Sequence, residues 1–395
     1  MGSSTTSEQL EVSVQLFEPN WGSPLATVII ELEKLRVKAL GGPVPAYIFF
    51  QLKDIFHILE SLGSARIEGN QTTLSEFVEN VIGSPSKEKP DEGLQEIKNI
   101  ENAIDFIESN VDKNTVFNRA LISQIHKILV EGLKLPPRGE GSKYPGALRP
   151  INVVISGSRH IPPDQVKVPE YFDGLMNFVN AETISQNHLL ITAIAHHRMA
   201  WIHPFDNGNG RLIRMFTYAM LIKQGFQVKS GRILNPTAIF CIDRDRYYEK
   251  LALADSGEKE GMLDWCLYVL EGLRQEIEKI DKLLDLSYMT SNILIPVLDY
   301  AIEREHITKR EYSILLAVVK SPNMSIKSSD LEGVIGRESP VQRSRIIKRL
   351  KDKKMLLPLK GNGRVYTIGF ANNYLLRGVM NVLEKNGFIP AFLNK

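Results

Sequence analysis

The chain is poor in cysteine: Cys241 and Cys266 are the only two in 395 residues. Neither belongs to a metal-like spacing, which excludes a zinc ribbon and a disulfide framework and leads us to expect a reducing, cytoplasmic setting. Long apolar runs are missing too. Runs such as Val28–Ile30 and Leu189–Ile194 are far too short to cross a bilayer, so no membrane partner is expected. Residues 1–9 are polar and lack the apolar core of a secretory signal. There is no internal repeat and no low-complexity tract. Net charge is scarce as well, at +2. That balance hides an asymmetry. From residue 301 onward 18 Lys and Arg stand against 8 Asp and Glu, and before it 30 stand against 38. A basic C-terminal module on an acidic body points to a polyanion as the module's partner.

What is present fits a soluble globular protein of two or three domains, 43% hydrophobic and 24% charged. Apolar residues recur at three- and four-residue spacing over Leu25–Lys38, Tyr47–Leu62, Thr73–Ile82, Gly93–Ser109, Ala120–Leu133, Pro169–Val179 and Asn187–Ile202, which predicts helices. Residues 87–92 read as a charged loop. Tyr144–Pro163 differs in being rich in Pro, Gly and β-branched residues. Asn152–Ile155 with the turn Ser156-Gly157-Ser158 predicts a small β-hairpin.

The densest chemistry lies in His203-Pro204-Phe205-Asp206-Asn207-Gly208-Asn209-Gly210-Arg211, which opens the helical pattern Leu212–Lys223. Glycines let backbone N–H groups approach an anion, and the helix start aims its positive dipole end at it. Arg211 and Arg214 share a helical face and can reach further phosphate oxygens. His203 stands at the rim, where a neutral imidazole can take a proton from a hydroxyl. This is a phosphate cradle with a base beside it. His196 and His197 precede it, but no Cys or acidic pair has a spacing that would complete a zinc site. Met215, Tyr218, Ala219 and Ile222 read as core.

These nine residues resemble the HPFx[D/E]GN[G/K]R motif of the Fic family, whose members mostly transfer AMP from ATP to protein hydroxyls. Ala195–Ile202 resembles the family's lead-in helix. Tyr144-Pro145-Gly146 with Arg149, then Val153–Pro163, resembles its flap hairpin, and Asp245-Arg246-Tyr247-Tyr248 the helix start bordering the adenine pocket. The resemblance implies a mostly α fold, a Fic helical core with a small β-hairpin flap. It implies His203 as general base, with Gly208, Asn209 and Gly210 lining the anion hole. Arg211 and Arg214 would hold the phosphates, Phe205 would anchor the loop and Tyr248 would border the nucleotide. Asp255 stands where relatives often place an amide-bearing residue.

One position departs from the family. The fifth motif residue, an acid that holds Mg²⁺ on the ATP phosphates, is here Asn207. Its amide oxygen is a weaker ligand for a hard cation, and Asp206 one step earlier would act only through a water. Mg²⁺ or Mn²⁺ is the expected metal. A second resemblance concerns control: Ser64-Ala65-Arg66-Ile67-Glu68-Gly69 is similar to the family's inhibitory motif (S/T)xxxE(G/N). It implies that Glu68 pairs with Arg214 and keeps ATP from binding productively.

The C-terminal module reads as a winged helix-turn-helix. Thr308-Lys309-Arg310-Glu311 is a capping box for a helix to Val319, Ser329–Ile335 a second helix, and Ser339-Pro340 the start of a third, Val341–Lys354. Leu356–Leu359, the Gly361-Asn362-Gly363 turn and Val365–Ile368 predict the wing. Arg343, Arg345 and Arg349 of the third helix and Arg364 of the wing are the candidate DNA contacts. Phe370–Phe392 predicts a last helix. The expected division is 1–115 helical region with the inhibitory motif, 116–270 Fic core, 271–300 helical linker, 301–370 winged helix and 371–395 C-terminal helix. The expected partners are ATP, a protein hydroxyl (the chain's own included), DNA at the module and a second copy in a homodimer. Two alternatives stand beside the self-inhibited transferase: a DNA-binding regulator with an inactive or nucleotide-sensing core, and a hydrolase that removes AMP.

Overall fold

In the computed structural model, residues 14–37, 44–83, 91–226, 233–327, 329–335, 340–360, 363–390 and 393 are described. Helices follow the apolar periodicity closely. They are α1 (Pro24–Val37), α2 (Ala46–Ile67), α3 (Leu74–Ile82), α4 (Glu92–Asn110), α5 (Arg119–Val130), α6 (Val168–Asn180), α7 (His188–Ile202), α8 (Asn209–Lys223), α9 (Thr237–Ile242), α10 (Arg244–Ala254) and α11 (Lys259–Asp281). Side-chain caps set several starts. Thr73 and Glu76 form a capping box before α3, Asn118 caps α5, and Asp243 caps α10. The α2 helix runs five residues past the predicted Leu62 because Gly63 and Ala65 sit in close packing that a helix supplies; Gly63 lies against Cys241 Sγ.

The contacts divide the chain into two units. One comprises Met1–Ala39, Glu60–Gln71 and Pro90–Ile277. Its centre is α8, where every residue from Arg211 to Ile222 is buried, including the predicted stripe Met215, Tyr218, Ala219 and Ile222. Helices α4, α5 and α7 surround it. Burying a large apolar side chain contributes about 1.5–3 kcal/mol, whereas a buried guanidinium must be paired to avoid a larger cost. The same helix carries Arg211 and Arg214, so its position depends on their partners.

The other unit comprises Leu40–Leu59, Thr72–Lys89 and Glu278–Lys395. After α12 (Ile295–Glu303) come α13 (Lys309–Lys320), β1 (Ser325–Lys327), α14 (Glu332–Ile335), α15 (Pro340–Asp352), β2 (Leu356–Pro358), β3 (Val365–Ile368) and α16 (Leu375–Lys385). The sheet is antiparallel in the order β1-β3-β2, pairing Ile326 with Tyr366 and Leu357 with Thr367. The capping box of Thr308 and Glu311 forms as predicted. The three-residue strand β1 is too short to show an alternating pattern, and the sequence does not predict it. Most of the 87–92 loop, Ser339, and Gly361 and Asn362 of the predicted turn lie outside the described residues.

The fold is thus mostly α with one small antiparallel sheet, as expected. Among the described residues that sheet is β1–β3. The segment 152–155, predicted as one limb of a hairpin, is extended and makes the turn (Ser158 N–H to the Ile155 carbonyl, 3.2 Å; Gly157 at φ +75°) without a strand ladder. Pro162 and Pro163 on the return limb have no N–H to donate to a ladder. Arg149 instead takes the carbonyls at both ends, Ile151 at 2.9 Å and Pro163.

Candidate active site

Helix α7 ends at His203, whose φ of 49° and ψ of 61° lie in the left-handed region while its N–H still donates to the Met199 carbonyl at 3.1 Å. A non-glycine residue there is strained by about 1–2 kcal/mol. The loop that follows is held from several sides. Phe205 is fully buried and stacks on the ring of His126 at 3.9 Å. Asn209 closes the loop on itself, accepting from the Phe205 N–H at 3.0 Å and donating to the Phe205 carbonyl at 2.8 Å. Its side chain is thereby spent on loop shape, and any contribution to an anion site comes from its backbone. Gly208 starts α8 at φ +75°. The first N–H groups of a helix have no acceptor within it, so they face whatever lies before the helix end.

Glu68 lies beside this first turn. A Cβ on Gly210 would clash with Glu68 Oε1, so the carboxylate rests directly on the bare glycine of the first turn. Glu68 follows the last residue of α2, where Gly69 at φ +103° ends the helix and Asn70 N–H returns to the Ala65 carbonyl at 3.1 Å. Arg214 is buried and reaches Glu68 Oε1 at 2.7 Å, Ser64 Oγ at 2.8 Å and the Ser64 carbonyl at 2.9 Å. Burial alone would raise the Glu68 carboxyl, but the charge and hydrogen bond of Arg214 outweigh it and hold the group below the usual range. Ser64, Glu68 and Arg214 are therefore brought together, with Gly69 closing the turn behind Glu68.

Arg211 is fully buried and has other partners. It meets Glu96 Oε1 at 3.2 Å, the Leu129 carbonyl at 3.4 Å and the Glu140 carbonyl at 2.7 Å. Glu96 in turn accepts from Asn70 Nδ2 at 2.7 Å. The turn after α2 thus touches both arginines, one through Glu68 and the other through Asn70 and Glu96.

Burial pushes the His203 imidazole down to about 4, against the pull of the Ala200 carbonyl and the Glu68 carboxylate. At neutral pH it is an unprotonated base. Its carbonyl accepts from Arg149 Nε at 2.9 Å, and the Pro204 carbonyl from the Arg149 N–H at 2.9 Å, so the flap's anchor and the loop share one guanidinium.

The two metal candidates are engaged elsewhere. Both Asp206 oxygens accept, from Ser142 Oγ and from the Lys143 N–H at 2.8 Å. Asn207 donates to Gly141 O at 3.1 Å and Glu140 Oε2 at 3.3 Å. Asp206 does not fit a cation site, and Asn207 offers only its amide oxygen. Among the described residues no group of three His, Cys, Asp or Glu could hold a metal. His196 is a satisfied core residue: Thr217 Oγ1 lies 2.7 Å from Nδ1 and the Tyr247 hydroxyl 3.0 Å from Nε2. Tyr248 is 42% exposed with Arg244 over its ring at 5.5 Å, while Asp255 is taken up by His197 Nε2 at 2.9 Å. Sequence reasoning missed His126, Asn70, Glu96 and Glu140, whose contacts are largely to backbone atoms or residues distant in the chain.

In the basic unit, Glu311 accepts from Arg349 Nε and Lys353 Nζ, both at 2.9 Å. Arg345, Lys348 and Arg364 are exposed, and the side chain of Arg343 lies outside the described residues.

A family model for the Fic/DOC family matches residues 116–221. The chain is 28% identical over 283 residues to a protein adenylyltransferase Fic of Drosophila erecta, covering 70% of this chain and 49% of that one. A protein of the same name from Nematostella vectensis is 28% identical over 207 residues, covering 49% of this chain and 42% of that one. The chain therefore spans about half the length of the curated relatives it matches. A solved Fic family protein from Desulfovibrio desulfuricans shares the fold with a TM-score of 0.52 at 17% identity, covering 90% of this chain and 98% of that one. The His203 loop and the glycine-lined helix start lie inside this match, so residues 116–221 carry a segment similar to the Fic/DOC family.

Proposed function

We propose that this protein is a self-inhibited transferase that moves AMP from ATP to a hydroxyl side chain of a protein. The observation that carries this reading is the start of α8, where the carboxylate of Glu68 packs on Gly210 of the first turn and pairs with the buried Arg214, with His203 held neutral by burial. In this reading the Glu68 carboxylate stands in for a phosphate of the nucleotide. The relatives named protein adenylyltransferase support the choice of AMP as the transferred group.

In the proposed reaction His203 takes the proton of the target hydroxyl, whose oxygen attacks the α-phosphorus of ATP. The bond from that phosphorus to the bridging oxygen breaks, and pyrophosphate leaves with the electron pair. The work of the site is positioning and charge neutralisation. Backbone N–H groups of Gly208, Asn209 and Gly210 face the phosphates, and Arg214 turns to them once Glu68 withdraws. Arg211 is restrained in the present state by Glu96, and Asn70 couples that restraint to the same turn. A divalent ion, Mg²⁺ or Mn²⁺, would enter on the nucleotide's own phosphates and supply charge neutralisation, with the Asn207 amide oxygen as the protein's donor. Tyr248 borders the base.

The second unit has the order helix, strand, helix, helix, strand, strand, which we read as a winged helix. Exposed Arg345 and Lys348 on α15 and Arg364 beside β3 favour DNA as its partner. The test of the transferase reading is the intact mass of the chain with ATP. We expect Glu68→Gly to gain one AMP, and Glu68→Gly with His203→Ala to gain none. Equal masses for the single variant with and without ATP, and no labelled protein in a lysate, would reject it.

A further inference from the structure

The ring of His126, on α5, is fully buried and touches neither His203 nor Arg214 in any hydrogen bond, yet two site-forming backbones meet at it. The Gly146 N–H donates to Nδ1 at 2.9 Å, and Nε2 lies 2.9 Å from the Asn207 carbonyl. A backbone N–H only donates and a carbonyl only accepts. One form of the ring satisfies both: neutral, with its proton on Nε2. The other tautomer would set a lone pair against the Asn207 carbonyl, and an imidazolium would set an N–H against that of Gly146.

The consequence reaches the phosphate site through one peptide plane. In a planar trans peptide the C=O and N–H point in opposite directions. With the Asn207 carbonyl fixed on His126, the N–H of Gly208 is turned away from the ring. Gly208 is also the residue that starts α8, and a Cβ there would lie 3.0 Å from Val130 Cγ1 and 3.5 Å from His126 Nε2, so the ring sits close under the turn. The opposite edge of the ring holds Gly146, three residues before Arg149, which binds the carbonyls of His203 and Pro204. Phe205, stacked on the ring face, completes the support.

We propose that His126 is a positioning residue for the phosphate-binding loop, holding one tautomer so that the Gly208 N–H faces the bound nucleotide's phosphates. Its catalytic consequence rests on the nucleotide reading above, whereas the tautomer does not. The test uses the full chain with selectively nitrogen-labelled histidine and, for binding, the Glu68→Gly background. Nitrogen–proton correlation spectra of the unsubstituted chain at neutral pH should show His126 protonated at Nε2 and bare at Nδ1, assigned by loss of the signal in His126→Phe. By calorimetry, His126→Phe keeps the stack and should weaken ATP about 10-fold or more while leaving adenosine unchanged, because only the phosphates meet the loop. His126→Gln, which restores a donor towards the Asn207 carbonyl, should recover most of that affinity, and His126→Asn should not. A proton on Nδ1, or equal losses for ATP and adenosine, would overturn the proposal. So would unchanged ATP affinity in His126→Phe. If Glu68→Gly itself binds no ATP, the nucleotide reading fails, and the nitrogen spectra still decide whether the ring is locked.

Discussion

The carboxylate of Glu68 and the guanidinium of Arg214 meet at 2.7 Å over the first turn of α8, although 146 residues separate them in the chain. The pair sits where α2 ends and α8 begins, with Gly210 leaving the space the carboxylate fills. Neither residue is at home there alone. Arg214 is 1% exposed and loses its counter-charge when Glu68 is removed.

Replacing Glu68 with glycine should therefore lower stability while raising nucleotide affinity. A buried donor left without a partner costs about 1–3 kcal/mol, and the melting temperature without ATP should fall accordingly. Saturating ATP should return more stability to the variant than to the parent, through binding to the native state. Thermal melts of both proteins with and without ATP check this, and an equal ATP-induced rise in both would count against competition at Arg214.

Asn70 offers a milder lever on the same turn. Its amide holds Glu96, which holds Arg211. Asn70→Ala should raise transferase activity above that of the parent and below that of Glu68→Gly. Initial rates of the three proteins at one ATP concentration decide it. A rate at or below the parent's would mean that the Asn70 link contributes nothing to restraint.

Acid and alkali should destabilise the protein for different reasons. His203 and His126 are both pushed down by burial to about 4, while unfolded imidazoles bind a proton near 6.5. Their contribution is fully present above about 6.5 and is lost as the pH falls towards 4. Glu60 has the opposite sign. Burial raises its carboxyl to about 8, against hydrogen bonds from Thr237 and the charge of Arg214, so its contribution is present below the ordinary carboxyl range and lost as the pH rises through 8. Denaturant unfolding at pH 5 and pH 8 should show Glu60→Gln losing less between the two than the parent. Equal losses would show that Glu60 does not titrate in that window.

Arg149 joins the flap to the His203 loop by four hydrogen bonds counted through its side chain and its N–H. Arg149→Ala should speed amide exchange across 151–163 without changing it in α4, and should raise KM for the protein target more than it lowers kcat. Exchange in the flap at the parent's rate would remove Arg149 as its anchor.

For the basic unit, Arg345→Ala and Lys348→Ala should each weaken duplex DNA binding and reduce the salt slope by about one. Arg349→Ala should do less, since Glu311 already neutralises that side chain. Affinities measured at several salt concentrations test it; no binding by the parent at low salt would assign α15 to another partner.

The helices were legible because three- and four-residue spacing is a local property, and α2 through α8 follow it. The Glu68–Arg214 pair was legible only through the family resemblance, as nothing in the spacing of two residues so distant marks a contact. His126 was not legible at all. Its partners are the N–H of Gly146 and the carbonyl of Asn207, and every residue but proline carries both groups. Asp206 looked like a spare metal ligand because its sequence neighbours say nothing of Ser142 and Lys143, which occupy both its oxygens. The flap turn was read correctly from Ser156-Gly157-Ser158, while the ladder was not, because Arg149 does the bridging that strand hydrogen bonds would otherwise do.

The most direct single measurement follows label from ATP into protein with Glu68→Gly, using ATP labelled either at the α- or at the γ-phosphorus. Incorporation from the α-position alone, abolished by adding His203→Ala, is the expected result. Incorporation from the γ-position, or label that persists without His203, would contradict adenylyl transfer with His203 as its base.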